Sequence, residues 1–286
     1  MLKKQLINLL KHKGYEIKKI PIADTYIVSF PKSGRTWLNL MLGKFFEQHL
    51  GLNNLHPDSL FNLKLFYDFF PTKIPLLLFT HDNNKNFYLP PEKLKSKVSK
   101  YKKSKVIFLA RDPRDVLISS YFEKTKRIKL GNRQNGFWKA FKGSISDYVY
   151  EKNGGFDTIL AFYNLWYKNK NIPKNFMLLK YEDLHKNAAS QLIKVLNFIE
   201  IENIEQKNVE TSVQYTLFDN MQKIEQNFEI KSDRLKPADK NDKDTYKTRK
   251  GKIGGYINYF SKEEIKYLTD KMNNELSPFF GYGTNL

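Results

Sequence analysis

The chain has 286 residues, no cysteine and a formal net charge of +19. That length is ordinary for one α/β domain with a large core, and the lack of cysteine excludes disulfides, thiolate catalysis and cysteine-based metal sites. The charge favours anionic partners such as nucleic acid, acidic membrane or phosphate- and sulfate-bearing molecules, but only seven of the 49 basic residues are Arg, and dispersed Lys speaks first to a solvated surface.

In chain order, Met1–Lys13 places Leu2, Leu6, Leu9 and Leu10 at helical spacing among lysines. It lacks a cleavage-site pattern, so it reads as a short helix packed on the domain rather than a secretory signal; a membrane-surface helix is the alternative. Thr25–Phe30 is an apolar strand ending at Pro31. Trp37–Leu50 repeats apolar residues at helical spacing. Leu76–Phe79 is a second strand, running into Thr80 and His81. Val106–Ala110 is a third, ending at Arg111, and Val116–Lys124 reads as the helix after it. Phe176–Leu179 is a fourth strand, ending in Lys180 and Tyr181. Ala188–Ile199 and Ser261–Asn274 are helices, the second opened by Ser261 with Glu264 three residues on, a capping box. No repeat, no linker and no apolar run near the roughly 18 residues of a membrane span is present.

Strands separated by helices predict one domain over residues 1–286, with a motif-bearing core at about 24–275. Its central parallel sheet carries helices on both faces and binds ligands beyond the carboxyl ends of the strands. Lys124–Phe156 and Lys231–Thr248 read as surface loops, in position to cover such a site.

Two segments at strand ends carry phosphate chemistry. In Ser29-Phe30-Pro31-Lys32-Ser33-Gly34-Arg35-Thr36-Trp37 a strand enters, a small-residue turn follows and a helix leaves. Unpaired N–H groups at a helix start face outward toward an anion, with the Ser33 and Thr36 hydroxyls and the Lys32 cation beside them. A Walker A loop is absent, because Lys precedes the Gly. In Arg111-Asp112-Pro113-Arg114-Asp115, followed by Ser119, an Arg at a strand end can fork onto phosphate while Ser donates alongside. A local Arg111–Asp115 salt bridge is the plainer reading. Two such places suggest a ligand with two separate anionic groups.

These segments resemble the 5'-phosphosulfate loop and the 3'-phosphate motif of the sulfotransferases that use 3'-phosphoadenosine 5'-phosphosulfate (PAPS). Tyr181-Glu182-Asp183-Leu184, Tyr215-Thr216-Leu217-Phe218 and Arg249-Lys250-Gly251 with Gly254 resemble three further motifs of that family, in order. The resemblance implies a P-loop-like nucleotide-binding fold and in-line sulfuryl transfer to a hydroxyl or amine, leaving adenosine 3',5'-bisphosphate. It implies Lys32 on the bridging oxygen, and Ser33, Gly34, Arg35, Thr36 and Trp37 around the 5'-phosphate. Arg111, Ser119, Arg249, Lys250 and Gly251 hold the 3'-phosphate. Trp37, Tyr181, Thr216 and Phe218 enclose adenine, and Ser119 restrains Lys32 until acceptor binds. Of five histidines, His81 alone directly follows an apolar strand. It matches the family's catalytic base, with an imidazole pKa suited to taking a proton near neutral pH.

The same resemblance implies no metal, a cytoplasmic location and a small-molecule or glycan acceptor; nucleic acid is not expected and peripheral membrane contact stays open. Phe79, Arg35 and Gly255 depart from the family pattern. An ATP-dependent phosphotransferase would need the missing Walker A lysine, and a nucleic-acid module would gather its cations on one element.

Overall fold

The computed structural model describes residues 22–82, 87–95, 98–128, 140–227 and 235–283. The expected helix over Met1–Lys13 lies outside the described residues. Among the described residues there are four strands: β1 (Thr25–Val28), β2 (Leu77–Thr80), β3 (Lys105–Ala110) and β4 (Asn175–Lys180). They form one parallel sheet in the order β2-β1-β3-β4, with Thr25 facing Leu77 on one side and Lys105 on the other, and Lys105 facing Asn175.

Side chains alternate across a strand, so a sheet covered on both faces needs apolar residues at every position. β3 meets this demand over its last five residues and is buried throughout, its first residue, Lys105, turning its ammonium to Glu200 and the Phe198 carbonyl. Ile27, Leu77, Ile107 and Leu109 point into one core with α1 (Arg35–His49), α2 (Pro57–Leu60) and α3 (Leu63–Phe69). Val28, Val106, Phe108 and Ala110 point into the other, against α4 (Pro113–Phe122), α5 (Ile145–Val149) and α6 (Phe156–Lys168). Phe108 is the hub of that second core, with its ring 5.3 to 6.0 Å from those of Phe162, Tyr163, Trp166 and Phe280.

After β4 come α7 (Tyr181–Lys186), α8 (Ala188–Phe198), α9 (Gln206–Tyr215), α10 (Phe218–Gln226) and α11 (Lys262–Glu275). α11 opens with the expected capping box, Ser261 accepting from the Glu264 N–H and Glu264 from the Ser261 N–H. The parallel sheet flanked by helices is as the sequence predicts, but three local differences stand out. The helix after β3 starts at Pro113 rather than Val116, because Asp112 caps it by accepting from the Arg114 N–H at 2.9 Å. It then widens into a π-helical segment over Glu123–Arg127. The stretch expected as a loop from Lys124 to Phe156 contains that segment and α5 among its described residues.

Candidate active site

A cavity of about 560 Å³ opens beyond the carboxyl ends of β1, β2 and β3. Its floor is the turn between β1 and α1. Two consecutive demands shape this turn. Lys32 sits at φ 76° and Gly34 at φ 99°, both in the left-handed region, which disfavours side chains and tolerates Gly. A Cβ on residue 34 would also lie 2.6 Å from the Tyr181 ring. α1 therefore has Gly34 as its N-cap residue, with no side-chain cap and no acid in its first turn. Its opening N–H groups lie beside the cavity that Gly34, Arg35 and Thr36 line, an arrangement able to hold an anion.

A second wall starts at Arg111, just past β3. The Tyr163 hydroxyl clamps its backbone, accepting from the Arg111 N–H at 3.0 Å and donating to its carbonyl at 2.8 Å. The guanidinium stacks 4.4 Å from the Tyr181 ring centre and donates to the Lys252 carbonyl at 3.1 Å. Asp115 stands 3.6 Å away, so the local pair read from the sequence is present. Its carboxylate oxygens are spent elsewhere, however, accepting the Gly254 and Tyr256 N–H groups at 2.9 and 3.1 Å. Asp115 thus fastens the C-terminal motif to α4. The Arg111 Nε is buried without a hydrogen-bond partner, an orphaned donor of the kind that a bound anion satisfies.

Aromatic rings form the third wall. Trp37 and Tyr181 meet edge to face at 5.6 Å, and the buried Trp37 Nε1 also has no partner. His185 joins them, 5.2 Å from Trp37 and with Nε2 3.1 Å from the Tyr181 hydroxyl. Thr216 lines the cavity but its hydroxyl donates to the Ser212 carbonyl at 2.9 Å. Phe218 lies against Gly251, where a Cβ would come within 2.5 Å of the ring. Arg249 stacks 3.9 Å over Phe122 and hydrogen-bonds the Tyr259 hydroxyl, while Lys250 sits 4.7 Å from the Tyr259 ring.

His81 directly follows β2, and the turn after it is anchored by Asp82, which accepts from the Tyr101 hydroxyl at 2.7 Å. His81 Nδ1 is 2.8 Å from the Ser29 carbonyl. A carbonyl only accepts, so Nδ1 carries the proton and Nε2 keeps a lone pair. Burial, and then the Arg35, Lys247 and Lys32 charges, hold the imidazole well below its ordinary pKa, against the Ser29 hydrogen bond. His81 is therefore neutral near pH 7.

Lys32 Nζ pairs with Glu123 Oε2 at 2.7 Å, and Arg127 Nε approaches the same oxygen at 3.0 Å. Burial alone would raise the Glu123 pKa. The Lys32 and Arg127 charges outweigh it and keep the carboxyl far below the usual carboxylate range. Ser119 lines the cavity one helical turn before Glu123 on α4, but the Lys32 contact is to the acid.

Every site residue singled out from the sequence lines this one cavity except Ser33, which is buried in the floor turn. Glu123, His185 and Lys247 line it too and were missed. Glu123 was legible only as an acid four residues after Ser119, and His185 only as the residue after the Tyr181–Leu184 motif. Of the other described histidines, His49 stacks on Phe45 and His56 caps α2; His12 lies outside the described residues. Among the described residues no group of three His, Asp or Glu side chains is placed to hold a metal, and no helix is long and apolar enough to cross a membrane.

The family described as the sulfotransferase domain matches residues 23–280. An amine sulfotransferase of Oryctolagus cuniculus is 28% identical over 71% of this chain, a stretch spanning 64% of that relative. Cytosolic sulfotransferase 12 of Arabidopsis thaliana is 26% identical over 90% of this chain and 78% of its own length. Among solved structures, a mouse sulfotransferase complexed with PAP superposes with a TM-score of 0.55 at 20% identity, covering 95% of this chain and 89% of that one. Retinol dehydratase in a complex with retinol and PAP gives 0.57 at 16% identity, covering 91% and 83%.

Proposed function

This chain belongs to the sulfotransferase family, and on that premise we propose that it moves a sulfuryl group from PAPS to a hydroxyl or amine of a small-molecule or glycan acceptor, with His81 as base. One observation carries the reading: the uncapped start of α1 and the orphaned Arg111 Nε, beyond β1 and β3, open on one cavity of nucleotide size. A ligand with two separated anionic groups on one sugar and a flat base to one side fits this arrangement, and the buried, unpartnered Trp37 Nε1 marks the base end.

Gly34, Arg35 and Thr36 hold the 5' end, with Ser33 buried in the turn beneath them, and Arg111, Ser119, Arg249, Lys250 and Gly251 hold the 3'-phosphate. Trp37, Tyr181, Thr216 and Phe218 enclose the adenine. When bound, PAPS supplies a sulfuryl group on a good phosphate leaving group. His81, neutral and fixed by Ser29, accepts the acceptor's proton at Nε2. The Lys32 ammonium offsets the negative charge that develops on the departing phosphate side, where preorganised cations act best. A cavity of about 560 Å³ suits a mononucleotide. We place the protein in the cytoplasm and read it as one domain.

The test compares two nucleotides by titration calorimetry. Arg111 forks and stacks, and a lysine can do neither. Arg111→Lys is expected to weaken adenosine 3',5'-bisphosphate by about tenfold or more, since a charge-assisted hydrogen bond contributes roughly 1.5–3 kcal/mol. Binding of adenosine 5'-phosphosulfate, which lacks the 3'-phosphate, should hardly change. Equal losses for both would sink the two-anion reading.

A further inference from the structure

A buried chain of charges runs from Lys32 to the backbone just before Arg249. Lys32 Nζ pairs with Glu123, and Glu123 Oε2 also faces Arg127 Nε at 3.0 Å, an ion-pair contact in which Nε makes no hydrogen bond. Arg127 Nη1 lies 3.6 Å from Glu225 Oε1 and donates to the Thr245 carbonyl. Glu225 Oε1 accepts the Lys247 N–H at 2.8 Å, and Oε2 accepts the Thr248 N–H at 2.9 Å and the Thr248 hydroxyl at 2.7 Å. Glu123, Arg127 and Glu225 are all more than nine-tenths buried. Lys32 and Glu123 line the cavity, whereas Arg127 and Glu225 do not.

Groups this deep in low dielectric feel one another's charge strongly, and each must remain matched. Arg127 stands between two carboxylates, and what one gains of it the other loses. Glu225 in turn divides itself between Arg127 and the amides of residues 247 and 248. Glu123 and Arg127 stand side by side as an i,i+4 pair spanning a π-helical turn, and such turns are frequent at functional sites.

We propose that Arg127 and Glu225 are positioning residues that couple the charge partner of Lys32 to the docking of residues 247–251 over the nucleotide cavity. The coupling has a sign. An anion that draws Lys32 away leaves Glu123 to Arg127 and to the charge of Lys247, and Arg127 shifts toward it. Glu225 is then released to hold the 247 and 248 amides more firmly, and the segment bearing Arg249, Lys250 and Gly251 tightens. Loss of the Glu123 charge does the reverse, turning Arg127 onto Glu225 and loosening the amides. The proposal rests on the sulfotransferase reading only for the identity of the anion.

Amide exchange at Lys247 and Thr248 in the ligand-free protein tests this, with Leu109 of β3 as the reference for global opening. Lys32→Met is expected to slow exchange at both amides and Glu123→Gln to speed it, each by about tenfold, a coupling of ordinary size for buried neighbours. An Arg127→Gln background should abolish both changes. General damage would speed exchange in both variants and at Leu109 as well. Same-direction changes, or wild-type rates at 247 and 248, would overturn the proposal. Lys32→Gln replaces Lys32→Met should the latter melt early. Because the measurement needs no turnover, a protein that failed to transfer sulfuryl groups from PAPS would refute the functional reading and leave the coupling result standing.

Discussion

At the scale of single residues, the chemistry assigned to His81 depends on what surrounds it rather than on the imidazole. Burial and three nearby cations work against protonation, while the Ser29 carbonyl fixes the tautomer. A base must be unprotonated to act, so the acid limb of kcat/KM should fall well below pH 6.5, the ordinary value for histidine. His81→Ala should lower kcat by about 10²–10⁴, the usual worth of a general base, while the affinity for adenosine 3',5'-bisphosphate stays near wild type. A pH–rate profile and one titration check both halves. An acid limb at or above pH 6.5, or a variant with near-normal kcat, would move the role to another group.

Elements place these residues, and the turn into α1 is the clearest case. Gly34 was legible as a tight-turn residue, but the reason it must be Gly was not. Half of that reason is φ 99°, and half is the Tyr181 ring arriving from α7, 147 positions away in sequence. Gly34→Ala therefore meets strain and clash together. It should cost on the order of 1–3 kcal/mol, as left-handed non-Gly residues at functional sites do, and lower both the melting temperature and nucleotide affinity. An alanine variant melting with the wild type would contradict the turn geometry. The same contrast explains what the sequence showed and what it hid. Strands β1 to β4 were readable because each holds a short apolar run, fully buried in the central β3 and partly so in the edge strands β2 and β4. Arg111 and His81 were readable because a strand end delivers them to the ligand side. Glu123 was hidden because its meaning comes from Lys32, which is distant in sequence, and from a π-helical turn that periodicity reads as plain α-helix. α6 went unforeseen because it opens on Phe156, the last residue of a stretch read as loop, with the rest of its aromatic stripe, Phe162, Tyr163 and Trp166, following.

For the whole molecule, the site's electrostatics become a property of the fold's stability. His81 is held neutral by burial, then by Arg35, Lys247 and Lys32. In the unfolded chain those neighbours are gone and the imidazole titrates near its usual pKa of about 6.5. Below that pH the unfolded state binds a proton that the folded state refuses, so this contribution to stability is lost as pH falls from about 6.5 toward the depressed folded value. Other groups titrate in the same range, and their share must be subtracted. His81→Gln keeps a hydrogen-bonding side chain and cannot titrate, so its stability isolates the term. The stability advantage of wild type over His81→Gln should be constant between pH 7 and 8. It should shrink between pH 6 and 5, approaching about 1.4 kcal/mol per pH unit once the unfolded imidazole is fully protonated. Urea unfolding at four pH values measures that difference directly. A constant difference down to pH 5 would mean that folded His81 takes up its proton as readily as an exposed one, and that would remove the physical ground for calling it a neutral base.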